Sequence, residues 1–220
     1  MHTRGPGSVP NNGRMNLWID LALALPALAV ALWLRPWRGV DEAGPPWPWL
    51  AWWALLPALW GVDRYVNNAV VQPLSGACLL VLMAGWPLAV LGLLPVALFT
   101  AWAAHLPWTE ALHRGVWLGL VPATLTLLLG AGVRRWLPHH LFVYILGRGF
   151  FATAAALSIT SVMGLVLHGG VASLSDSELM IGRWLSAWGD AFLTGMIVAI
   201  FVAFRPQWLA TYTDSLYLPR

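Results

Sequence analysis

Two charged side chains interrupt the long apolar runs of this 220-residue chain, Arg148 and Asp190. A charge at the centre of an apolar helix costs roughly 2.5–3.5 kcal/mol on insertion scales, so such groups turn toward the protein interior. The runs that carry them are consecutive, which makes their helices antiparallel neighbours. Counted from the same end, Arg148 lies about ten residues in and Asp190 about fifteen, a depth difference of roughly 7 Å at the helical rise. An arginine spans that distance. The two residues therefore form either a buried ion pair that locks two helices or a pair of groups that contact a substrate.

A second set of polar residues gathers at the opposite face. Asp63, Gln72, His105, His113 and His168 flank the ends of apolar runs there, with Asn67 and Asn68 beside them and Asp190 some way below. Imidazole and carboxylate are suitable ligands for cobalt, nickel or zinc. No two of these residues have the close spacing of a local metal motif. His105 and His168 are the metal candidates, and Gln72, Arg148 and Asp190 the candidates for a substrate path. Asp20, near the start of the first apolar run, suits the positive end of a helix dipole and is expected to be solvated at the interface. His139 and His140 stand beside Arg134 and Arg135 in a solvated turn on the other face. Cys78, the single cysteine, is a small packing residue. Catalytic constellations are missing from the sequence: it holds no Gly-rich phosphate loop, no Ser/His/Asp arrangement and no paired carboxylates. The expectation is that the chain is not an enzyme.

The elements that must position these groups are membrane helices. Apolar residues make up 59% of the chain and charged residues 10%, against about 25% charged in an average soluble domain. A globule of this size needs a larger polar skin. The twelve basic residues are all arginine and lie singly along the chain, which excludes a nucleic-acid footprint.

The hydropathy pattern predicts an all-α, polytopic bundle of about seven transmembrane helices, over residues 17–34, 47–62, 72–85, 88–104, 115–136, 141–167 and 182–204. Gly85-Trp86-Pro87 divides an apolar stretch too long for one span. Five tryptophans in the second run suit the membrane interface. Small residues in the sixth, among them Gly147 and Gly149, allow close helix approach. Residues 1–15 read as a disordered polar tail, 16–206 as the transmembrane domain and 207–220 as a short cytoplasmic tail; Met15 is an alternative start. With the amino terminus outside, Arg35, Arg38, Arg134, Arg135, Arg205 and Arg220 fall inside, against Arg64, Arg114 and Arg183 outside. That bias follows the positive-inside rule of an inner membrane and puts the carboxyl terminus in the cytoplasm.

From Leu137 onward, LPHHLFVYILGRGFFATAAALS and then WGDAFLTGMIVAIFVAFRPQW resemble the CbiM-like energy-coupling-factor transporter permeases, in a divergent bacterial branch. The GWPLAV break fits as well, and the resemblance covers roughly residues 15–218. It implies the substrate-capture component of a cobalt or nickel importer, partnered by a transmembrane coupling subunit and cytoplasmic ATPases. It also makes His2 a metal candidate, because characterised members chelate the ion with the terminal amine and second-residue histidine of a Met-His-Ile-Pro-Asp-Gly start. Here Met1-His2 is followed by Thr3-Arg4-Gly5-Pro6, and Gln72 stands where a further histidine is expected. Relatives in this branch carry a glutamate where this chain has Asp190. The alternative is a non-transporting scaffold or accessory subunit of a larger membrane complex.

Overall fold

The computed structural model describes residues 12–39, 47–65, 72–168, 176–213 and 217. His2, Asn67 and Asn68 lie outside the described residues. The described chain is helical, with no strand. Five helices are long and apolar enough to cross a membrane, at Asn16–Trp33, Trp86–Ala103, Trp108–Trp136, Val143–His168 and Ser177–Phe204. Such a set is the pattern of a multi-pass membrane protein.

In chain order the elements are α1 (Asn12–Trp33), α2 (Trp47–Trp60), α3 (Val62–Tyr65), α4 (Ala77–Ala84), α5 (Trp86–Ala103), α6 (Trp108–Arg114), α7 (Val121–Trp136), α8 (Ala152–His168) and α9 (Asp176–Phe204). A π-wound stretch, Gly115–Leu120, joins α6 to α7, and another, Val143–Phe151, leads into α8. π-turns are uncommon and recur near functional positions. Here one begins two residues after His113 and the other carries Arg148.

The third expected helix, over 72–85, is only partly realised. α4 has 8 residues, about 12 Å of helix, and 72–76 is non-helical. Pro73 lacks an N–H, and Gly76 sits at φ +61°, where a side chain is strained. A Cβ at Gly76 would also stand 2.6 Å from Leu56 Cδ2. Gly85, at φ 79° and ψ 158°, ends α4, and Trp86 opens α5. The Gly85-Trp86-Pro87 break thus falls where the sequence puts it.

An unwound segment among apolar helices needs partners for its peptide groups, since lipid offers none. The tryptophans of α2 supply them. Trp60 donates its indole N–H to the Ser75 carbonyl at 2.8 Å and Trp52 to the Gly76 carbonyl at 2.8 Å. Trp53 reaches the Gly92 carbonyl on α5 at 2.7 Å. The expectation of an interfacial belt is corrected for these three residues. The wet edge that interfacial tryptophan seeks is replaced by backbone carbonyls, and Trp60 is fully buried. Trp18, Trp33, Trp102 and Trp136 remain exposed.

α9 packs against α8 and the preceding π-wound turn. A Cβ on Gly149 would meet Val198 at 3.2 Å, and one on Gly195 would meet Phe150 at 3.2 Å, so small residues set that approach. Beyond Arg205 the chain turns back beneath α4. Ala210 and Thr211 donate their N–H groups to the carbonyls of Met83 and Leu82, and Leu209, Tyr212 and Tyr217 are buried.

Candidate functional site

α6, the end of α8 and the start of α9 border a chamber of about 370 Å³ lined with polar side chains. Gln72, Glu110, His113, Trp117, Ser161 and His168 line it. Its floor is the unwound segment: Gln72 and Pro73 face the cavity, and Ser75 Oγ ties that segment to the Leu118 carbonyl at 2.5 Å.

Asp20, on α1, stands behind the wall made by His113 and Trp117. It is 2% exposed, which corrects the expectation of a solvated interfacial acid. Asp20, Ala24, Ala27 and Ala31 recur at helical spacing, and this narrow stripe turns the face of α1 that carries Asp20 into the bundle. Ala24 and Ala31 are buried with it. One carboxylate oxygen accepts the Trp117 indole N–H at 2.8 Å, and the other lies 3.0 Å from His113 Nδ1. The rings of His113 and His168 meet edge to face, with centroids 4.8 Å apart. Both ring nitrogens of His168 are shielded and lack a hydrogen-bond partner. Asp20, His113 and His168 each present a ligand atom, all within 4.8 Å of one another.

Beside this group runs an ion network. Arg114 forks onto Asp63 at 2.7 and 2.6 Å and reaches Glu110 at 2.7 Å and the Trp60 carbonyl. Arg64 bonds the same Glu110 from the surface at 2.8 Å. Paired, planar N–H···O contacts are among the stronger charge-assisted hydrogen bonds. The Arg114 guanidinium beside Asp63 holds that carboxyl below the usual aspartate range. Both acids of the network are satisfied internally, so its charge is spent.

The two deep charges do not pair. Asp190, 1% exposed, accepts the backbone N–H groups of Ser75 at 2.8 Å and Gly76 at 3.0 Å. Thr194 Oγ1 stands 3.5 Å from its other oxygen. Arg148 instead donates to the Thr211 carbonyl at 3.2 Å and lies over the Tyr144 ring, 5.5 Å from its centroid. Gly130 leaves the room for it, since a Cβ there would stand 3.1 Å from Arg148 Nε. Matching depth did not bring the two residues together, because unwound backbone lay nearer to each of them.

Of the expected site residues, the structure brings Gln72, His113 and His168 to one chamber. Ser161 Oγ lies 3.5 Å from Gln72 Oε1. His105 is exposed in the turn between α5 and α6, at φ 50°, and takes no part. Asp63 joins through Arg114. The group that sequence reasoning missed is Asp20, for which the alanine stripe was the available signal. No family model matches the chain, no curated protein matches it, and no solved structure matches its fold.

Proposed function

We propose that this chain is an integral membrane permease that captures a small solute in the chamber, in the manner of the substrate component of an energy-coupling-factor transporter. The observation that carries this reading is the chamber itself: a cavity of about 370 Å³ lined with polar side chains at one end of an apolar bundle, floored by the unwound segment that precedes the half-length helix α4. Interrupted helices of this kind recur at the substrate sites of secondary transporters. The start of α4 would favour an anion, but Asp190 already occupies the Ser75 and Gly76 amides. The helix start is therefore not free to bind an anionic cargo. Divalent cobalt or nickel is the cargo that the family resemblance implies.

In this reading the five long helices, α2, and α4 extended by the unwound segment 72–76 make seven crossings. Five and seven are both odd, so either count puts the two termini on opposite sides. The arginine bias then places the amino terminus and the chamber outside and the carboxyl terminus in the bacterial cytoplasm. A coupling subunit and cytoplasmic ATPases would drive release.

The test is uptake. Cells without cobalt or nickel importers receive the chain together with a coupling subunit and ATPases from its genomic neighbourhood. Accumulation of labelled cobalt or nickel is expected, reduced by Gln72→Leu. Accumulation no higher than in cells lacking the chain would sink the permease reading in favour of a scaffold.

A further inference from the structure

We propose that Asp20, His113 and His168 form a resident binding site for one zinc-type divalent cation, which staples α1 to the helices behind it. The site is independent of the transport reading, since its ion stays with the protein rather than passing through.

The three side chains come from three separate helices, α1, α6 and α8, yet their ligand atoms lie within 4.8 Å of one another. A shielded imidazole whose two nitrogens both lack partners is unfavourable in an apolar bundle, and His168 is in that state. Asp20 carries a charge into the same bundle, and its one ion-pair contact among the described residues is His113. The nearest arginine network offers it nothing, because Arg114 is held by Asp63 and Glu110. A divalent ion satisfies both needs at once, giving the imidazole a partner and the carboxylate a counter-charge.

The supporting contacts suit such a site. Ligand side chains in metal centres are held by hydrogen bonds from behind. The Trp117 indole fixes one oxygen of Asp20 at 2.8 Å and leaves the other facing His113. The same indole packs edge-on against the His168 ring, with centroids 4.9 Å apart. Tetrahedral coordination with metal–ligand distances near 2.1 Å puts donor atoms roughly 3.4 Å apart. Closing from 4.8 Å asks for a shift of about an ångström and a half, within reach of a side-chain rotation at His168. The fourth position opens onto the chamber, where water completes the shell.

The donor set selects the ion. Two imidazoles and one carboxylate suit zinc and its first-row neighbours, while calcium and magnesium require more oxygen ligands than the site offers. Arg183 lines the same chamber, with Nη1 donating to the Ser161 carbonyl at 3.1 Å. Its positive charge opposes the ion and keeps affinity below that of a fully acidic site.

The experiment uses the full chain purified in detergent, stripped with chelator and titrated with zinc. One zinc per chain is expected, with an X-ray absorption first shell of two imidazole nitrogens and light oxygen ligands. His168→Ala and Asp20→Asn should each weaken binding at least tenfold, and Trp117→Phe should weaken it several-fold by releasing Asp20. His105→Ala and His2→Ala should leave it unchanged. Zinc should raise the melting temperature of the native chain and not that of His168→Ala. Absence of stoichiometric zinc in the native chain overturns the proposal, as does a first shell without imidazole. Equal binding by the His168 and Asp20 variants, or loss in the His2 variant, overturns it too, and so does an ion that leaves on uptake of cargo. Apart from release on cargo uptake, none of these readouts depends on transport, so a chain that binds zinc and moves no solute separates this inference from the permease reading.

Discussion

The two ends of the bundle bury charge in different ways. At the Arg148 end, a guanidinium with its Nε unpartnered rests on a backbone carbonyl and an aromatic face away from the chamber, and Tyr144 Oη meets Thr211 Oγ1 at 2.8 Å. The C-terminal strap fills the space around them. At the chamber end, charges meet charges around a void, and two imidazole nitrogens are left over. Depth within an apolar run therefore does not mark a functional residue. An unpartnered imidazole beside a cavity is the better sign, and His168 supplies it next to Asp20 and His113.

Substitutions sharpen this contrast, starting with the largest effect. Asp190→Ala leaves two buried N–H groups without acceptors, at about 1–3 kcal/mol each, so unfolding should become easier by about 3 kcal/mol. Asp190→Asn keeps an oxygen in the place of the one that accepts both N–H groups and should lose clearly less. Denaturant titration in mixed micelles measures both. Arg114→Met strips a mostly buried cation from two acids and should cost about 2 kcal/mol, less than the 3–5 typical of a fully buried pair. It should also disturb the chamber wall, read as weaker zinc binding in the same titration.

Arg148→Met is predicted to cost about 1–2 kcal/mol, from one lost hydrogen bond to a carbonyl and the stacking on Tyr144. Zinc binding should stay as it was. If this variant abolished binding while remaining folded, the separation of the two ends would fail. The smallest effect concerns pH. Asp63 ionises more easily in the folded chain than in the unfolded one, because Arg114 bonds its carboxylate. Its contribution is complete above the ordinary aspartate range, near pH 4, and is lost as pH falls through the depressed folded value. Between pH 6 and pH 3 the native chain should lose more melting temperature than Asp63→Asn, and an identical decline in both would count against the network.

Much of the scaffold was legible in the residues. Apolar runs located the long helices because lipid demands length and hydrophobicity, and Gly85-Trp86-Pro87 announced a break because few other residues tolerate that geometry. The extent of α4 was only partly legible: Pro73 and Gly76 disfavour a helix at 72–76, but the partners that hold the segment open lie far along the chain. Asp190 and the indoles of Trp52 and Trp60 make the open form affordable. The same distance hid the role of Asp20, whose partners His113 and Trp117 are more than ninety residues away. His105 read as a chamber residue because position along a helix gives depth without direction. The burial of Tyr212 and Tyr217 was not legible in the expected tail, because so short a segment has no periodicity to read.

The capping of α4 has a consequence for how the protein is made. Its first amides await Asp190, 115 residues after Ser75, and its last carbonyls await Thr211, 129 residues after Leu82. At about 5–20 residues per second of synthesis, the half-helix spends on the order of ten seconds in the insertion machinery with neither end satisfied. The half-helix is thus among the last parts of the bundle to settle, although it is encoded in the first half of the chain.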